Sequence, residues 1–160
     1  HIAAPESPDL LKDLMFNPRF HDVDRLIGQV TPGILPYREI ADIAPVIQSH
    51  VTASEALETY ALDLWTATRR PADFGIQIEG VDIDHLILAG ASPRGMSMLM
   101  RAARVHAWLS GRNHLLPEDI QGVFRETIAH RIFLTPVYEL RRERIMVALM
   151  DQILNQVPAP

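Results

Sequence analysis

Apolar residues recur at helical spacing along most of this chain. Leu57, Tyr60, Ala61, Leu64 and Thr68 follow the i, i+3, i+4, i+7 rule and predict one clear helix. Thr52 and Glu55 open it as a capping box. Arg69 and Arg70 suit its negative end, and Pro71 stops it. Upstream, Ile40, Ile43 and Ile47 share a face of a helix starting at Pro36 or Tyr37. Pro45 lies inside that pattern, and its ring clashes with the carbonyl of Ala41, so a kink or an end is expected there. Leu10, Leu11 and Leu14 mark a short helix over Asp9–Phe16, ended by Asn17-Pro18. Ile27–Val30 reads as a short extended piece.

Downstream, Met96, Met98, Leu99, Ala102, Ala103, Val105 and Leu109 predict a helix from Pro93 to about Ser110, with Gly111 as its C-cap. The wide apolar arc predicts a mostly buried helix, its methionines serving as core filler. A further helix starts at Pro117-Glu118-Asp119. Its stripe is Ile120, Val123, Phe124, Ile128 and Ile132, and His130 and Arg131 fall in its last turn. A final helix covers Tyr138 to Gln156, with Leu140, Ile145, Leu149 and Ile153 inward. Residues 72–89 break the rhythm. Phe74-Gly75-Ile76-Gln77-Ile78 and Val81-Asp82-Ile83-Asp84 alternate with period two around a Glu79-Gly80 turn, which predicts a small β-hairpin. The alternative is a flexible loop ending in the apolar run Leu86-Ile87-Leu88. The expected fold is an all-α bundle of five to six helices with at most one small β-hairpin. Residues 1–36 read as a connection and residues 37–160 as the helical domain. No internal repeat or low-complexity segment interrupts it.

Composition narrows the function. With 160 residues the chain is long enough to bury roughly two-thirds of its unfolded surface as one domain. At 48% hydrophobic it is not disordered by composition. It has no cysteine, hence no disulfide and no thiolate metal site. No 18-residue apolar run is present, so no membrane insertion is expected. The N-terminus lacks a signal-peptide layout, and His1–Pro8 reads as a linker or a cloning remnant. The net charge of −5 argues against a general nucleic-acid binder. Of 15 basic residues only Lys12 is a lysine, and it has no glycines around it. A P-loop needs Gly-x-x-x-x-Gly-Lys-Ser/Thr, so the chain holds none.

The candidate chemistry concentrates at Ser92-Pro93-Arg94. Ser92 suits an N-cap and Pro93 the first helical position. Arg94 then adds a planar fork of donors to a helix end already disposed to anions. Arg94, Ser97, Arg101 and Arg104 fall on one face. That face is either a solvated surface laced with salt bridges, a nucleic-acid recognition helix, which the acidic balance and Trp108 disfavour, or a phosphate sensor completing a site on another domain. No metal site stands out. The seven histidines are scattered, and Asp82, Asp84 and His85 read as a solvated turn. Glu118-Asp119 reads as ordinary helix N-terminal acids rather than a catalytic pair. There is no Gly-x-Ser-x-Gly elbow and no cysteine nucleophile.

Several ordered motifs together resemble the C-terminal lid of MoxR-type AAA+ ATPases. Gly90-Ala91-Ser92-Pro93-Arg94-Gly95 is similar to the family's Gly-Ala-Ser-Pro-Arg-Ala. Met100-Arg101-Ala102-Ala103-Arg104-Val105-His106-Ala107 is similar to the alanine-rich run that follows. Gly111-Arg112 through Pro117-Glu118-Asp119-Ile120, then His130-Arg131-Ile132-Phe133, Thr66-Ala67-Thr68-Arg69 and the closing Ile153–Pro158 continue the likeness. It runs over roughly residues 28–158. The resemblance implies that Arg94 is the sensor-2 residue approaching nucleotide phosphates; Ser92, the cap beside it, is the second cofactor-binding candidate. It implies ATP as cofactor, with Mg supplied at a core domain outside this chain. It also implies a homo-hexamer, a chaperone-like role, a cytoplasmic location, and partners that include the core, neighbouring subunits and a von Willebrand A-domain protein. No activity is expected of this chain alone. The competing class is a free-standing helical interaction module working through its arginine face. Two features depart from the family pattern. Gly95 replaces the usual alanine, which frees backbone near a phosphate, and residues 72–88 are longer than the usual linker, as a contact feature would be.

Overall fold

The computed structural model describes residues 5–33 and 36–160. The first four residues of the segment read as a linker or cloning remnant, and residues 34 and 35 of the predicted connection, lie outside the described residues. Eight α-helices are present among the described residues. Contacts divide the chain into two units, His1–Asp42 and Ile43–Pro160.

The first unit holds α1 (Pro8–Phe16) and α2 (Val23–Gly28) with a 3-10 turn at Pro18–Phe20 between them. Ser7 caps α1 through its side chain, and Asp22 caps α2. Asn17 closes α1 and opens the turn, its amide donating to Asp13 and its oxygen accepting from the Arg19 N–H. Neither helix buries a residue. Ile27 belongs to α2, so the extended piece expected at Ile27–Val30 does not form. The N-cap at Asp22 commits that segment to a helical turn instead.

Helix α3 (Tyr37–His50) runs through Pro45 without ending. The ring removes one backbone donor, but Ile47 is buried four residues after Ile43, and that packing outweighs the single lost bond. Helix α4 (Glu55–Arg69) is capped by Ser54, whose hydroxyl accepts the Leu57 N–H at 3.3 Å. Thr52 therefore does not open a capping box. It is engaged elsewhere: its N–H donates to Asn113 and its carbonyl accepts from Leu115, a parallel bridge between two connections.

The core of the second unit is drawn from four helices: α4, α5 (Pro93–Leu109), α6 (Pro117–Ile128) and α8 (Arg142–Gln156). Leu64, Ala67, Leu99, Ala103, Ala107, Ile120, Phe124, Leu149 and Ile153 are fully buried there. Leu99, Ala103 and Ala107 repeat every fourth residue on α5. The two alanines let α6, the helix it packs on most, come close. The buried stripe is narrower than the wide arc predicted, because Leu109 is exposed and Met96 and Met100 are only partly covered. Gly111 closes α5 in a Schellman motif: at φ 74° it donates to Trp108, and Arg112 donates to Ala107.

The hairpin expected over 74–84 is absent. A 3-10 turn at Pro71–Phe74 and another at Ile83–His85 take its place. The Glu79-Gly80 turn does form, with Val81 donating to Ile78. The strand lies later: β1 (Ile87–Ala89) pairs antiparallel with β2 (Phe133–Leu134), more than forty residues on. Period-two alternation arose because Ile76 is buried while Ile78 and Val81 pack on the same core. Their backbone is held by distant groups: Asp82 donates to the Tyr138 hydroxyl at 2.8 Å, and Thr135 donates to His85 and Leu86. Within the run Leu86-Ile87-Leu88, Leu86 is buried and Leu88 is 67% exposed.

The last predicted helix is two, α7 (Pro136–Glu139) and α8. Leu140 sits in the break and is 99% exposed rather than inward. Helix α6 also ends earlier than the stripe suggested, and a 3-10 turn at Ala129–Arg131 carries His130 and Arg131. Ile132 is nonetheless fully buried beyond it.

Candidate functional site

The start of α5 is built by four hydrogen bonds. Ser92 is extended, and its hydroxyl accepts the Gly95 N–H at 3.2 Å while its carbonyl accepts from Met96. The preceding residue, Ala91, is buried. Its carbonyl accepts the Trp65 indole N–H at 2.7 Å and its N–H donates to the buried Thr68 hydroxyl. Gly90 rests directly on the end of α4. A Cβ there would lie 2.7 Å from the Thr68 carbonyl and 2.9 Å from the Arg69 Cα, so no side chain fits.

Arg94 stands exposed on that turn. It makes no hydrogen bond and no ion pair among the described residues. The Ser92 hydroxyl hydrogen is likewise without an acceptor among them. The two predicted site residues are therefore adjacent, and both present donors to solvent at the positive end of a 17-residue helix. That donor set suits a phosphate, since it supplies cationic and neutral N–H and O–H groups and no carboxylate.

Gly95 corrects one expectation. It does not leave open backbone for a ligand. It is buried, and a Cβ would meet the Arg131 side chain at 2.9 Å. Arg131 thus lays its aliphatic stem against the first turn of α5 while its Nε donates to the Thr127 carbonyl at 2.9 Å. The residues Ser92-Pro93-Arg94 and His130-Arg131, read only as separate motifs, meet in space. Arg131 is the neighbour that sequence reasoning passed over, and the glycine next to Arg94 was the signal.

The rest of the arginine face is not laced with salt bridges. Among the described residues, neither Arg101 nor Arg104 pairs with a carboxylate. The Arg101 guanidinium donates to the Met98 sulfur at 3.8 Å, and Arg104 donates from Nε to the Val51 carbonyl at 3.2 Å. With Ser97 they line one wall of a groove of about 560 Å³ between α4 and α5.

The opposite end of α5 is saturated. Asp119 is fully buried and accepts two hydrogen bonds from Arg112, at 2.5 and 2.6 Å. It also bonds His106 Nδ1 at 2.8 Å and accepts the Leu116 N–H at 2.8 Å. Burial raises its pKa, but these bonds more than offset that and hold the carboxyl down at about 2. The same pairing pushes the Arg112 guanidinium up. This is a clamp on the α5–α6 connection, with four hydrogen bonds converging on the Asp119 carboxylate. Among the described residues no group of His, Cys, Asp and Glu is placed to hold a metal ion, and no helix is long and apolar enough to cross a membrane. Asp82 and His85 form an exposed pair at 2.9 Å in a 3-10 turn.

Comparison with known proteins fixes the family. The AAA lid domain family model matches residues 82–153, which contain Arg94, the Asp119 clamp and both strands. Over 99% of its length the chain is 49% identical to Protein MoxR of Methylorubrum extorquens and 48% identical to Protein MoxR of Paracoccus denitrificans. The chain belongs to the MoxR family and carries an AAA+ lid. It spans 46% and 47% of those two relatives, about half their length. A crystal structure of a presumed ATPase from Cytophaga hutchinsonii has the same lid architecture, with a TM-score of 0.61 and 34% identity over 71% of this chain and 33% of that one. The lid of this chain is thus helical, with one two-stranded ribbon among the described residues. The first turn of α5 lies inside the matched residues.

Proposed function

We propose that this lid couples nucleotide state to lid position in a MoxR-type ATPase, and that Arg94 is its sensor-2 residue. The observation that carries the reading is an exposed arginine with no partner among the described residues, held on a capped helix end. Such a group is preorganised for a charge supplied by another domain. ATP and its Mg belong to a core domain that this chain does not include, since the chain has no P-loop. Bound Mg-ATP supplies the scissile phosphoanhydride. Arg94 and Ser92 then orient and neutralise phosphate oxygens from the lid side. Residues 37–160 act as the lid and residues 1–36 as its connection to the core. The complete protein works as a cytoplasmic homo-hexamer with a chaperone-like remodelling role, and a von Willebrand A-domain protein is a candidate partner.

The test is Arg94→Ala in the protein joined to its core. ATP hydrolysis falls by about 10²–10³-fold, the cost of losing one well-placed donor. Unchanged turnover overturns the assignment. The 160-residue chain alone shows weak or no ATP binding in titration calorimetry, and tight binding would contradict the shared-site reading.

A further inference from the structure

We infer that the groove between α4 and α5 docks an acidic amphipathic helix from a partner protein. This inference does not depend on the nucleotide role of Arg94, which lies outside the groove lining. The groove floor is apolar, made of Trp65, Met96 and Met100 with Leu62 at its edge, 59% exposed. The Trp65 indole N–H is already spent on Ala91, and the Arg69 guanidinium stands over the ring at 5.5 Å, so the groove meets the ring as apolar surface without a free donor. Two methionines give a floor that adapts to different apolar knobs. The α5 wall from Pro93 to Arg104 is about 17 Å long at 1.5 Å per residue, which matches three turns of a docked helix.

Charge selects the occupant. Arg19, Arg112, Arg125 and Arg142 all pair with carboxylates of this chain. Arg101 and Arg104, on the groove wall, pair with none among the described residues. Most of the other arginines also lack a carboxylate partner among the described residues, and what sets these two apart is their place beside an apolar floor. The wall is therefore a cationic strip beside an apolar floor, complementary to an apolar ridge flanked by Asp or Glu. Glu58 sits on the opposite wall and makes the groove asymmetric, so the acidic edge of the occupant must face α5. A nucleic-acid strand fits less well, because it presents no apolar ridge to the floor of Trp65, Met96 and Met100.

The experiment uses the 160-residue chain and a dye-labelled peptide of about twelve residues, three helical turns, with Leu at helical spacing and Glu along one flank. A second peptide carries Lys in place of each Glu. Fluorescence anisotropy reads binding. The acidic peptide binds in the micromolar range and the Lys peptide does not. Arg101→Glu weakens the acidic peptide by about tenfold or more and gains affinity for the Lys peptide. The Arg101 side chain is exposed and hydrogen-bonds only the Met98 sulfur among the described residues, so circular dichroism shows an unchanged fold. Trp65→Ala weakens both pairings. No acidic-peptide binding, or equal binding to Arg101→Glu, overturns the inference. So does tighter binding of an oligothymidylate of similar length. Concentration-dependent self-association abolished by Arg101→Glu would make a second copy the occupant and overturn it as well. Peptide binding that disappears when the core is attached would show the groove covered from within, with the same result.

Discussion

Helix α5 ends in two opposite electrostatic states. At its C-terminal end Arg112 is bidentate to a fully buried Asp119, which also holds His106 and the Leu116 N–H. At its N-terminal end Arg94 touches nothing charged among the described residues. Both arginines belong to motifs that a reader of the sequence would single out. The difference separates architecture from function. A charge whose valence is spent inside the fold can only hold the fold, whereas an exposed charge on a rigid turn is available to something outside it.

Four changes probe that contrast. The largest is Asp119→Ala. It leaves Arg112 uncompensated and strips a cap from α6, at a cost of about 3–5 kcal/mol. Urea denaturation of the chain reads it, and a loss under about 1 kcal/mol would mean that the clamp is ornamental. Next comes Arg94→Ala, which loses ATP turnover in the core-joined protein yet leaves stability within about 0.5 kcal/mol. A large stability loss there would erase the distinction between the two ends.

Acid gives the third. The folded pKa of Asp119 is about 2, below its ordinary value of 3.8. A carboxyl depressed on folding stabilises the native state above its unfolded pKa. That contribution, of about 2 kcal/mol, is lost as pH falls from about 5 towards 2. Thermal melts across that window should show the drop in wild type and not in Asp119→Asn. The smallest change is Ser92→Ala, which removes one N-cap bond and costs about 1 kcal/mol. Its melting temperature should shift slightly, whereas a shift as large as that of Asp119→Ala would show the two ends to be equally structural.

Much of the fold was legible because helices α4, α5, α6 and α8 carry a buried stripe at 3.6-residue spacing, and no distant partner is needed to see it. Segment 72–89 was not legible. Its alternation came from Ile76 and Leu86 reaching a shared core, while its backbone bonds go to Tyr138 and Thr135 rather than to itself. Pairing across more than forty residues leaves no local trace. The helix cap moved two places, from Thr52 to Ser54, because both residues carry a hydroxyl and only the bridge to Asn113 and Leu115 decides between them. At the candidate site, Ser92, Pro93 and Arg94 were legible as a cap followed by a cation. The lack of a carboxylate partner for Arg101 and Arg104 among the described residues was not, since a sequence lists carboxylates but not their distances. Arg131 was missed for the same reason, and the glycine facing it looked like an opening rather than a seat.

Gly90 gives the lid its mechanics. With backbone of α4 within Cβ reach of it, and Ala91 bonded at both its N–H and its carbonyl, the start of α5 rests directly on the end of α4 although residues 70–92 separate the two in sequence. The first turn of α5 and the last turn of α4 are thereby packed as one block, and a displacement of either must carry the other with it.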